Sequence, residues 1–156
     1  MKAKSHKAKV PTFPTINVSP GATKLRALFT GPDADAKLAA AQQLATQLDR
    51  TLYRVDLFAV VSKYIGETEK NLERLFAKAE TKDWVLFFDE ADALFGKRTS
   101  VKDSHDRYAN QEVNYLLQRI EAYAGVALIT LNRKGPLAKI WRKDFLNVVN
   151  FPRRRR

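Results

Sequence analysis

The sequence has no cysteine among its 156 residues. Disulfides and thiolate metal sites are therefore excluded, and the redox compartment stays open. Histidine occurs twice, as His6 and His105. The two lack metal-ligand spacing and read as surface residues. No apolar run is long enough to cross a bilayer and no signal-peptide core is present, so a soluble cytoplasmic protein without a membrane partner is expected. No internal repeat is evident. Acids are missing from the head of the chain, where Lys2, Lys4, Lys7 and Lys9 cluster, and the chain closes on Arg153 to Arg156. Taking these eight cations from the 28 lysines and arginines leaves 20 against 17 acids, so the body is nearly balanced and the ends carry most of the net +11. Short basic ends either bind a polyanion such as nucleic acid through counterion release or stay solvated.

With 45% hydrophobic residues the chain is not a disordered one. Its length suits one domain with a real core. Residues 1–23 read as a basic arm punctuated by Pro11, Pro14 and Pro20. Residues 24–152 read as an α/β core and 153–156 as a basic tail. Strands are expected at Leu25 to Thr30, Thr51 to Leu57, Trp84 to Phe88, Val126 to Leu131 and Leu146 to Phe151. Helices are expected at Leu38 to Leu48, Glu67 to Lys82, Asn110 to Tyr123 and, short, near Leu137 to Trp141. A turn is expected over Gly31 to Lys37, a loop or short helix and loop over Ala59 to Gly66, and a polar loop over Gly96 to Asp106. The alternation predicts a three-layer α/β sandwich around a five-stranded parallel sheet.

Two stretches carry chemistry. Trp84 to Phe88 is an unbroken apolar run, as in a strand buried on both faces, and it ends in Asp89 and Glu90. Open α/β sheets place ligands at that edge. There one acid can hold Mg²⁺ and a second can orient an attacking water. The plainer alternative is a core strand and a solvated acidic turn. Earlier, Gly31-Pro32-Asp33-Ala34-Asp35-Ala36-Lys37-Leu38 follows a strand and keeps the first glycine and the lysine of the phosphate-loop pattern G-x-x-x-x-G-K-[ST]. Lys37 either reaches phosphates or is a solvated lysine paired with Asp33 or Asp35.

In wording and order the chain resembles the large α/β subdomain of AAA+ ATPases, over about Lys24 to Pro152. LFTGP with Lys37 resembles Walker A, and LFFDEADALF resembles Walker B. VSKYIGETEKNLERLF resembles the segment carrying a pore loop, VALITL followed by Asn132 resembles sensor 1, and WRKDF resembles the double-arginine site. The overall wording is similar to ATPases that accompany contractile injection systems. The resemblance implies ATP and Mg²⁺ as cofactors. Gly31, Pro32, Lys37 and Asp89 would contact the nucleotide, Asp89 on the magnesium side, and Glu90 and Asn132 would be catalytic. Tyr64 and Ile65 would form the pore-loop pair. Arg142 and Lys143 would stand at the finger that reaches a neighbouring subunit.

The departures from that pattern share one direction. The family loop commonly reads GPPGTGKT. Here Ala34 and Ala36 replace two glycines, which costs about 1 kcal/mol each wherever φ must be positive. Asp33 and Asp35 turn the loop's formal charge from +1 to −1. A carboxylate within ~4 Å of a phosphate oxygen costs on the order of 4 kcal/mol at an effective dielectric of about 20. Leu38 removes the hydroxyl that helps to hold magnesium. Lys143, where an arginine is usual, weakens a planar grip on phosphate. A helical lid is expected to be missing after Arg156. Three functions follow: a pseudo-ATPase that serves as a scaffold or regulatory subunit for a related ATPase or other protein; a weak ATPase active only in an oligomer; or a nucleic-acid-binding protein acting through its basic ends.

Overall fold

The computed structural model describes residues 24–60, 66–91, 104–131, 141, 145 and 147–153. In chain order these form β1 (Leu25–Thr30), α1 (Ala34–Gln47), β2 (Leu52–Asp56), α2 (Leu57–Val60), α3 (Glu67–Lys82), β3 (Val85–Asp89), α4 (Ser104–Ala122), β4 (Val126–Thr130) and β5 (Asn147–Asn150). The strands make one five-stranded sheet in the order β2-β3-β4-β1-β5, every pair parallel. The expected fold class is the one observed.

The apolar runs become central strands because both sheet faces are covered. Alternate residues go to opposite faces. Leu28, Leu86, Phe88, Ala127 and Ile129 join α3 and α4 in one core, through Leu72, Phe76, Ala79, Val113, Leu116 and Ile120. Ala27, Phe29, Val85, Phe87, Val126 and Leu128 face α1, through Ala40, Ala41, Leu44 and Ala45. Phe76 stacks on Phe88 at 5.6 Å between ring centroids and meets Tyr123 edge-on at 5.7 Å. Tyr123 closes the base of this layer: its buried hydroxyl donates to the carbonyls of Trp84 and Ala79.

Three boundaries differ from the sequence expectations. α1 starts at Ala34, within the segment expected as a turn. β3 carries one residue further than Phe88, so Asp89 lies inside the hydrogen-bonded ladder opposite Asp56. α4 starts at Ser104, inside the expected polar loop, and takes in polar residues whose helical state no apolar periodicity announces. Most of the short helix expected near Leu137 to Trp141 lies outside the described residues. Trp141 and Phe145 are buried in the α3–α4 core.

Candidate functional site

The loops after β1 and β3 leave the C-terminal edge of the sheet on either side of β4, so the two chemistry-bearing stretches converge there, in the region where open α/β sheets bind ligands. Gly31 is the first residue past β1. Its φ is +102°, and a Cβ at this position would lie 2.2 Å from the Phe151 carbonyl oxygen and 2.9 Å from Asn150 Oδ1. Glycine is therefore demanded twice, by the backbone conformation and by the chain that follows β5.

The loop itself is short. Pro32 is exposed. Asp33 is the N-cap of α1, and its Oδ1 accepts the Ala36 N–H at 3.0 Å. The amides around it are also engaged. Asp33 N–H donates to the Phe151 carbonyl at 3.4 Å, Ala34 N–H to Pro32 at 3.1 Å and Lys37 N–H to Asp33 at 3.2 Å. The physical reason lies in the residue types. Alanine is the best helix former and glycine among the worst, so Ala34 and Ala36 wind into α1 the residues that glycines would leave as loop. Aspartate is a strong N-cap, and its charge suits the positive end of the helix. Exposed Asp35 sits in the same first turn.

Lys37 is not a solvated lysine. It is 1% exposed, and its Nζ donates 2.8 Å to the Leu131 carbonyl just past β4. The alternative of a solvated lysine paired with Asp33 or Asp35 fails on solvation, because the side chain is buried against the sheet edge at Leu131. Leu38 is half-buried and packs against the α1-side core.

At the other motif, Asp89 ends β3 with its carboxylate held from two sides. Arg54, on the adjacent strand β2, donates to Oδ2 from Nη2 at 2.5 Å and from Nε at 3.1 Å. The buried Thr130 hydroxyl donates to Oδ1 at 3.2 Å and accepts the Glu90 N–H at 2.8 Å. The Thr130 carbonyl accepts the Ala91 N–H at 2.9 Å. Glu90 is exposed, and its φ of +54° is a left-handed conformation that a non-glycine residue adopts only when surroundings hold it there. Thr130, through its side chain and its carbonyl, holds both amides of that turn.

β4 thus joins the two motifs: the Leu131 carbonyl accepts from Lys37, and the Thr130 hydroxyl donates to Asp89 and accepts from Glu90. Sequence reasoning did not find Thr130 or Arg54. A hydroxyl at the end of an otherwise apolar strand was a signal for Thr130. Arg54 required knowledge that Asp56 pairs with Asp89, which sets Arg54 diagonally before that acid on the same face. Gly31, Pro32, Lys37, Asp89 and Glu90 are brought to one edge. Asn132, Tyr64, Ile65, Arg142 and Lys143 lie outside the described residues. The basic arm and residues 154–156 also lie outside them.

The described groups fit neither a triphosphate nor a magnesium ion well. A phosphate cradle needs inward amides open to the ligand, and those of residues 33, 34, 36 and 37 are already donors. Magnesium needs near-octahedral oxygen donors. Here Oδ2 of Asp89 faces a guanidinium and position 38 is apolar. Among the described residues no group of three or more metal-ligating side chains occurs, and no helix is long and apolar enough to cross a membrane.

Comparison with known proteins accords with this architecture. The family described as "ATPase family associated with various cellular activities (AAA)" matches residues 27–152. An uncharacterised AAA family ATPase, y4kL, of Sinorhizobium fredii is 36% identical over 129 residues, covering 81% of this chain and 38% of the relative. Cell division protein C of Sulfolobus acidocaldarius is 31% identical over 126 residues, covering 75% and 32%. Peroxisomal ATPase PEX6 of Debaryomyces hansenii is 35% identical over 101 residues, covering 64% and 8%. The chain therefore spans little more than a third of such relatives at most.

Proposed function

The chain belongs to the AAA family of ATPases, and from that premise we propose that it is a pseudo-ATPase: a domain that binds and hydrolyses ATP poorly or not at all and acts as a scaffold or regulatory subunit. Its partner is a related AAA subunit or another protein, since members of this family typically oligomerise. The sequence resemblance points to rings of the kind that accompany contractile injection systems. The observation that supports this reading is the first turn of α1. Asp33 caps it with a carboxylate, the ligand type that a phosphate would have to displace.

The energetics run against a nucleotide. Opening the cap costs about 1 kcal/mol. The displaced carboxylate stays close by, and at ~4 Å it repels a phosphate oxygen by on the order of 4 kcal/mol at an effective dielectric of about 20. Even a third of that is roughly a tenfold loss of affinity. Lys37 must also leave the Leu131 carbonyl, which burial makes expensive to abandon.

The test is calorimetric titration of ATP with Mg²⁺ into the native chain and into a variant with Asp33→Pro, Ala34→Gly, Asp35→Thr, Ala36→Gly and Leu38→Thr. The expected outcome is binding by the restored loop alone. Micromolar binding by the native chain would overturn the reading in favour of a weak ATPase that becomes active in an oligomer.

A further inference from the structure

We propose that Arg54 is the resident cation of Asp89: its guanidinium takes the place of a divalent ion, so this sheet edge is complete without metal. The proposal extends the reading above from the phosphate side of the site to its metal side.

The geometry carries it. β2 and β3 are parallel with Asp56 opposite Asp89. Arg54 is two residues earlier on β2, hence on the same face. A two-residue rise is about 6.6 Å, a span that an arginine leaning along its strand covers. The outcome is a fork, with Nε and Nη2 both on Oδ2. The other oxygen, Oδ1, is occupied by the Thr130 hydroxyl. Both carboxylate oxygens thus have protein donors. The Asp89 side chain is 19% exposed and that of Arg54 59%. The acid is therefore partly withdrawn from water while its partner screens the open side.

That placement decides what can enter. A divalent ion on Oδ2 would sit within about 5 Å of the bonded guanidinium charge, and even at the dielectric of water that repulsion corresponds to roughly a tenfold loss of affinity. Arginine suits this role because it is always protonated and its planar fork needs no hydration shell to satisfy a carboxylate. Removing the charge leaves Oδ2 of Asp89 without its guanidinium, at an edge where Asp56 is the register neighbour on β2, and carboxylate oxygens suit a hard cation.

The experiment titrates Mn²⁺ alone, without nucleotide, into the full chain, Arg54→Gln, and Arg54→Gln with Asp89→Asn, following free Mn²⁺ by electron paramagnetic resonance. The expected result is binding at least about tenfold tighter in Arg54→Gln than in the native chain, lost again when Asp89 is also replaced. Equal affinity in the native chain and Arg54→Gln, no binding in either, or a gain that survives the loss of Asp89 would each overturn the proposal. If Arg54→Gln does not fold, the native chain still decides. Its melting temperature should be indifferent to millimolar Mn²⁺, and a rise would overturn the assignment. Nucleotide is absent from every arm, so failure here leaves the ATP titration standing, and failure of that titration leaves this one intact.

Discussion

At the scale of single residues, the site depends on groups that satisfy one another. Thr130 shows this most directly. Its one hydroxyl accepts from the Glu90 amide and donates to Asp89, and it is fully buried. Thr130→Val keeps the shape but strands a donor and an acceptor. Such unmade bonds cost about 1–3 kcal/mol, and the cost should appear in urea unfolding as a lower midpoint with unchanged slope. Because the same hydroxyl steadies the left-handed Glu90, the valine variant should also show faster amide exchange at Glu90. Gly31 makes a different point at this scale. The glycine that resembles the start of a nucleotide motif is also required here by the Phe151 carbonyl, by Asn150 Oδ1 and by a positive φ, so packing by itself accounts for a glycine at this position.

The element that decides the reading is α1. Its first turn is built from the residues that depart from the phosphate-loop pattern, and each departure has a local physical use. Two alanines favour helix, and an aspartate caps it. Asp33→Ala should therefore destabilise the chain by about 1 kcal/mol, within the range for lost N-caps. Asp33→Asn should cost only a few tenths, since asparagine caps about as well without the charge. Thermal unfolding of the pair separates cap from charge. Equal losses would mean that the charge, and not the hydrogen bond to Ala36, holds the turn. The β2–β3 pair shows the same logic in a sheet. Register places Arg54 beside Asp89, and a slip by one residue would send it to the opposite face.

At the scale of the whole molecule, the larger buried core among the described residues lies on the α3–α4 face, where Tyr123 ties the sheet base to α3. Burial, assisted by the negative charge of Asp83, raises its phenol from the usual 10.0 to about 12, against a lowering by Arg50. The folded chain thus holds the proton more tightly than the unfolded one. This contribution is fully present below about pH 10 and is lost as pH rises from about 10 to about 12. Two units correspond to a contribution on the order of 3 kcal/mol. Tyr123→Phe should be less stable at neutral pH, having lost its bonds to Trp84 and Ala79. Its stability should also fall less steeply than that of the native chain across the alkaline window, as followed by denaturant titrations at successive pH values. Parallel curves would remove Tyr123 from the account.

Much of this protein was legible in the order of its residues. Unbroken apolar runs at Ala27–Phe29, Val85–Phe88 and Val126–Ile129, separated by helical periodicities, require a sheet covered on both faces, and that alone implies parallel strands with crossovers. The acids after Phe88 and the Gly31–Lys37 spacing marked the edge at which chemistry would gather. Those are local properties, set by period, propensity and backbone freedom. What the tertiary structure decided was how these groups are used. Whether Lys37 meets solvent or the Leu131 carbonyl depends on where α1 begins relative to β4. Whether Asp89 faces a metal or Arg54 depends on the register of two strands separated in sequence by α2 and α3. Charges act through distance and burial, and neither exists until the sheet has formed.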